Sequence, residues 1–215
     1  MKSSVKKLFE DFFIQFPELS VCSFEINGAF DVLRSCYNAG GKLLACGNGG
    51  SAADVEHIVG ELMNKFILRR PAPLQMRENL LASGAKNPDY LFGKLEQGFS
   101  AISLVSQTAL MTAIINDIGA DMVFAQQVYG YGKPGDVLFA LSTSGNSPNV
   151  VNAVSVAKAL GMITIGFTGE SGGTMKDLCH ITIRVPERTT FKIQQQHLPV
   201  YHLLCCMIEE EFFGV

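Results

Sequence analysis

His57 and Glu61 stand four residues apart in a stretch with helical spacing, so an imidazole and a carboxylate share one helix face. Near the C-terminus Gln194 and His202 stand eight apart, about two helical turns, and form a second such pair. Two imidazoles, a carboxylate and an amide oxygen brought together can act as general acid and base, or can hold a divalent ion such as zinc. A second chemistry lies in two polar loops. Ser142-Thr143-Ser144-Gly145-Asn146-Ser147 sets four hydroxyls and a flexible glycine at the start of a helix, which makes a phosphate cradle without a cation. It lacks the Lys that a nucleoside-triphosphate loop carries after its glycines. Gly47-Asn48-Gly49-Gly50-Ser51-Ala52 fits the loose dinucleotide fingerprint, yet no second strand ending in an acidic residue follows about 20 residues on. His180 and His197 are read as satisfied interior groups rather than ligands.

These groups need elements to hold them. Residues 3–39 carry apolar positions at helical spacing, divided by Pro17 into a short helix and a longer one. Five short apolar runs follow, at 42–46, 101–105, 136–141, 162–167 and 180–185, with helical or turn signals between them. Most are apolar at consecutive positions, which suits strands buried on both faces, and the intervening helices imply parallel pairing. The expected fold is an α/β, doubly wound, five-stranded parallel sheet with helices on both faces and added N- and C-terminal helices. Ligands in such sheets bind beyond the carboxyl ends of the strands, where both polar loops fall. Each loop ends in a serine, Ser51 or Ser147, placed to cap the helix after it (52–66 and 149–160). Residues 71–100 are too long for an ordinary connection and read as an inserted segment with one or two short helices. A long helix is expected from 190 to 213, with Pro199 inside it.

Composition narrows the function classes. At 215 residues and 47% hydrophobic content the chain can bury a sizeable core as one domain, 1–215. Its 17 Lys+Arg against 20 Asp+Glu leave a net charge of −3, with no basic footprint for nucleic acid or an anionic membrane. The N-terminal segment carries Glu10 and Asp11 among its apolar residues, which argues against a signal peptide, and no apolar run is long enough to span a bilayer. Six cysteines without CxxC spacing read as reduced thiols of a cytoplasmic protein.

The stretch CGNGGSAADVEHIVGEL, the pair Asn116-Asp117, the run GDVLFALSTSGNSPNVVNAV, the Thr168-Gly169 turn and the late IQQQHLPVYH together resemble the phosphoheptose isomerases, enzymes of the sugar-isomerase (SIS), flavodoxin-like fold. The resemblance covers most of the chain outside residues 71–100. It implies an aldose-ketose isomerase that interconverts sedoheptulose 7-phosphate and D-glycero-D-manno-heptose 7-phosphate through an enediolate. It implies zinc held by His57, Glu61, Gln194 and His202, with Glu61 as base and His202 as acid. Substrate contacts fall on Asn48, Gly49, Gly50, Ser51, Glu61, Asn116, Asp117, Ser142, Thr143, Ser144, Ser147 and Gln194. A homotetramer with sites at subunit interfaces is also implied. Three features depart from the family pattern: the long 71–100 segment, Lys65 in place of an Arg, and Pro199 between Gln194 and His202. Two other readings stay open: a SIS regulator without catalysis, of the kind that binds the bacterial replication initiator, or an isomerase of a different sugar phosphate. The carboxylate at Glu61 favours the enzyme, because the regulator pattern keeps the His but lacks it.

Overall fold

The computed structural model describes residues 1–214; Val215, the last residue of the expected domain, lies outside the described residues. Strands β1 (Leu43–Gly47) and β3 (Val137–Leu141) are buried at every position, which their unbroken apolar sequence requires. With β2 (Ala101–Ser103), β4 (Ile163–Thr168) and β5 (Ile181–Arg184) they form one all-parallel sheet in the order β2-β1-β3-β4-β5. The second strand stops at Ser103 and not at residue 105, so the edge next to β1 is short.

Side chains alternate across the sheet. Leu43, Ala45, Val137, Phe139, Leu141, Ile165 and Phe167 face a layer made by α1 (Ser3–Gln15), α2 (Ser23–Asn38), α3 (Gly50–Met63) and α10 (Thr190–Phe213). Leu44, Cys46, Leu138 and Ala140 face the opposite layer, where α6 (Thr108–Asp117), α7 (Val123–Tyr131) and α8 (Pro148–Ala159) pack. The chain therefore reverses its winding between β1 and β3, and a cleft opens there at their carboxyl ends.

Pro17 does divide the N-terminal helices, through a 3-10 turn over Pro17–Cys22. Residues 71–100 hold two short helices, α4 (Leu74–Ala82) and α5 (Pro88–Lys94), neither with a buried residue. An isolated antiparallel bridge between Pro71 and Glu96 closes the neck of this segment. α10 continues through Pro199 as one helix of 24 residues. The expected serine caps differ. α3 begins at Gly50, with Gly49 at its N-cap in the left-handed region (φ 56°), so Ser51 lies inside the first turn and is buried. Glycine is what allows that backbone and moves the helix start two residues earlier. Ser147 does occupy the N-cap of α8, but its hydroxyl turns to Ser142 Oγ at 2.9 Å and not to a backbone N–H.

Candidate active site

The two polar loops meet at the cleft between β1 and β3. Asn48 and Asn149 exchange paired side-chain hydrogen bonds, each 2.9 Å, and so tie the first loop to the helix that follows the second. The second loop is folded on itself: Ser142 is buried and its hydroxyl reaches Ser147 and, at 3.5 Å, Ser144. Gly145 (φ 67°) shapes the turn, and a Cβ there would sit 2.0 Å from Gly172 O, so only glycine lets these backbones approach. Beside the loop opens a cavity of about 680 Å³ lined by Thr143, Ser144 and Asn146 on one side and by Glu170, Glu187 and Arg188 on another. The cradle does therefore have a cation at its rim. Arg188 is exposed and paired with Glu170, each holding the other in its charged form.

α3 and α10 bring the titratable groups together. His57 Nε2 and His202 Nε2 approach the same Glu61 oxygen, Oε1, at 3.0 and 3.1 Å, and the three candidate ligand atoms lie within 4.8 Å of one another. Neither approach has hydrogen-bond geometry: both Glu61 oxygens and His202 Nε2 are buried without a hydrogen-bond partner. Burial raises the Glu61 pKa, with His57 opposing. Burial and then the neighbouring His57 lower that of His202. Gln194, on α10, lays its amide against Gly50 at the start of α3, about two turns before His57, and a Cβ at Gly50 would come within 2.7 Å of Nε2. On the other side of His57, Nδ1 lies 3.1 Å from Tyr201 Oη, which also reaches Asp54 Oδ1 at 3.2 Å.

The SIS domain family matches this chain over residues 22–90 and 91–169. The phosphoheptose isomerase of Rhodospirillum rubrum is 40% identical over 91% of this chain and 90% of its own length. That of Trichlorobacter lovleyi is 35% identical over 100% of this chain and 97% of its own. The chain belongs to the phosphoheptose isomerase family of SIS-domain proteins. Solved members agree in fold. A phosphoheptose isomerase from Francisella tularensis superposes with a TM-score of 0.75 at 29% identity, covering 98% of this chain and 100% of that one. One from Neisseria gonorrhoeae gives 0.69 at 31% identity, over 96% and 92% of the two chains. The chain is thus a sugar phosphate isomerase.

Several groups in this isomerase site escaped the sequence reading. Asp54, Tyr201 and Asn149 are known only by what they touch. Behind the site, Arg70 and Glu209 form an ion pair at 2.7 Å, both almost wholly buried. Arg70 also donates to the Glu61 and Leu62 carbonyls at 2.9 and 2.7 Å, which pins the end of α3. Glu209 accepts the N–H groups of Phe66, Ile67 and Leu68. Burial alone would raise its pKa, but those donors and Arg70 hold the carboxyl below its ordinary range. Lys65 is exposed. Asn116 and Asp117 lie at the end of α6, exposed and bonded to each other at 2.7 Å. Among the described residues no hydrogen bond joins them to either loop. His197 is buried, as expected, whereas His180 is exposed at the foot of β5, its Nδ1 accepting from Thr164 N at 3.0 Å.

Proposed function

We propose that this isomerase interconverts sedoheptulose 7-phosphate and D-glycero-D-manno-heptose 7-phosphate through an enediolate. One observation carries the reading: a buried carboxylate with no hydrogen-bond partner stands between two imidazoles, on the helix that follows the first polar loop. Its relatives' names supply the heptose phosphate. The loop Ser142 to Ser147, with Asn48 to Ser51 opposite, holds the phosphate and fixes the register of the open-chain sugar. Glu61 then takes the proton from C1 of the ketose and returns it to C2, while His202 protonates the oxygen of the former carbonyl and recovers a proton from the C1 hydroxyl as that carbon becomes the aldehyde. Oε1 faces both imidazoles, which leaves Oε2 as the atom that moves the proton. Burial, by raising the carboxyl pKa, makes it a stronger base than a solvated glutamate.

The same donor set suits zinc. A carboxylate oxygen and two imidazole nitrogens converge without hydrogen bonds among them, as ligands do and as a structural hydrogen-bonded cluster does not. His57, Glu61 and His202 would hold the ion, His202 through Nε2 so that its acid role would fall to Nδ1–H, and the family resemblance adds Gln194. When bound, it would polarise the sugar's oxygens. The chain acts as one SIS domain within a homotetramer. The exposed Asn116 and Asp117, with no hydrogen bond to either polar loop among the described residues, support a site completed across a subunit boundary. Six free thiols, four of them buried, fit a reducing, cytoplasmic setting.

The test is conversion of sedoheptulose 7-phosphate to the aldoheptose, with and without added zinc. Glu61→Gln should lower kcat by 10²-fold or more, the range of a lost general base. His202→Ala should do likewise, both variants remaining folded. Binding without turnover by the wild type would move the reading to a phosphosugar-binding regulator.

A further inference from the structure

Tyr201 is fully buried, and its hydroxyl bridges α3 and α10 by touching Asp54 and His57 at once. A phenol has one proton to give and lone pairs to receive with, whereas a carboxylate can only accept. The proton therefore points to Asp54 Oδ1, at 3.2 Å, and the oxygen is left as an acceptor for His57 Nδ1, at 3.1 Å. That arrangement requires the His57 proton on Nδ1 and a bare lone pair on Nε2. A neutral imidazole next to a carboxylate prefers the opposite, an Nε2–H donating to the acid. Here Nε2 stands 3.0 Å from Glu61 Oε1 without hydrogen-bond geometry, as a nitrogen lacking a proton would.

We propose that Asp54 and Tyr201 are positioning residues that set the tautomer of His57 and so turn Nε2 into a ligand. The inference rests on the zinc reading of the cluster for its purpose, but the tautomer itself does not depend on a metal. Two helices cooperate in it. Asp54 lies three residues before His57 on α3, and Tyr201 immediately before His202 on α10, so the contact that orients one imidazole also sets the spacing of the two helices that carry both. The two positioning residues are not equivalent. Without Asp54 the Tyr201 proton is free to turn to Nδ1, which forces the wrong tautomer. Without the Tyr201 hydroxyl, Nδ1 merely loses its guide.

The experiment uses the full chain in two readouts. Magic-angle-spinning 15N spectra of histidine-labelled, metal-free protein, with His57→Gln for assignment, should show Nδ1 protonated and Nε2 bare. Asp54→Ala should exchange the two signals, and the isosteric Tyr201→Phe should give a mixture. Zinc affinity, from competition with a chromophoric chelator, should fall about 10- to 100-fold in Asp54→Ala, the usual range for a ligand's hydrogen-bond partner, and less in Tyr201→Phe. Adding Tyr201→Phe to Asp54→Ala should recover part of that loss, which a merely structural role would not produce. A wild-type Nε2–H, or a tautomer unmoved by Asp54→Ala, would overturn the proposal. A wild type that shows the stated tautomer but takes up no zinc would uphold the positioning and remove the metal.

Discussion

His197 sits three residues from Gln194 on α10, yet it is a core group in every respect. It is wholly buried, Nε2 lies 3.2 Å from the Thr168 carbonyl, and Nδ1 has no partner. Burial pushes its pKa down to about 4, with the Thr168 bond only partly opposing. The folded state thus favours the neutral ring more than the unfolded chain does. Its contribution is present above an unfolded pKa of about 6.5 and is lost as pH falls toward 4, on the order of 3 kcal/mol in all. Urea titrations of the wild type and His197→Gln across that range should show the steeper decline in the wild type. Equal slopes would mean that the ring is not held neutral. The interior role of this histidine was legible in its apolar helical setting. The exposure of His180 was not, because a polar residue opening a strand can face either way.

At the scale of elements, the end of α3 is held from across the molecule. Arg70 joins the Glu61 and Leu62 carbonyls to Glu209 on α10, 139 residues along the chain. Removing one member of a buried ion pair strands the other, at about 3–5 kcal/mol. Arg70→Met should lose stability on that scale in chemical denaturation and should weaken turnover by releasing the segment that carries Glu61. Adding Glu209→Leu should recover only part of it, since three backbone N–H groups would then lose their acceptor. Full recovery would show that the N–H contacts carry no weight. The strands, the two loops and the four-residue pair on α3 could be read from the sequence because periodicity and strand-end loops are local signals. The eight-residue spacing of Gln194 and His202 was local too, and the family resemblance added their roles beside His57 and Glu61. Arg70, Asp54 and Tyr201 could not be found that way: each looks like an ordinary residue of its type until a distant element packs against it.

Across the whole molecule, the helices between residues 71 and 100 stand apart. α4 and α5 bury nothing, and Leu74 and Tyr90 are 75% and 65% exposed. An apolar surface of that kind, in a chain proposed to form a tetramer, is suited to a neighbouring subunit. Replacing residues 73–94 with a short turn should leave a folded chain of similar melting temperature and lower the assembled mass in sedimentation. An unchanged tetramer would free the segment for another role. The replacement is feasible because Pro71 and Glu96 already lie side by side, with Gln97 Nε2 bonded to the Pro71 carbonyl at 2.8 Å. That closed neck also bears on how the chain finds its fold. Once it pairs, the entropy of bringing β2 to β1 is set by the short stretches on either side, not by the whole excursion. Lengthening or trimming the segment should therefore change the folding rate little, and the protein could gain or shed such a loop without retuning its core.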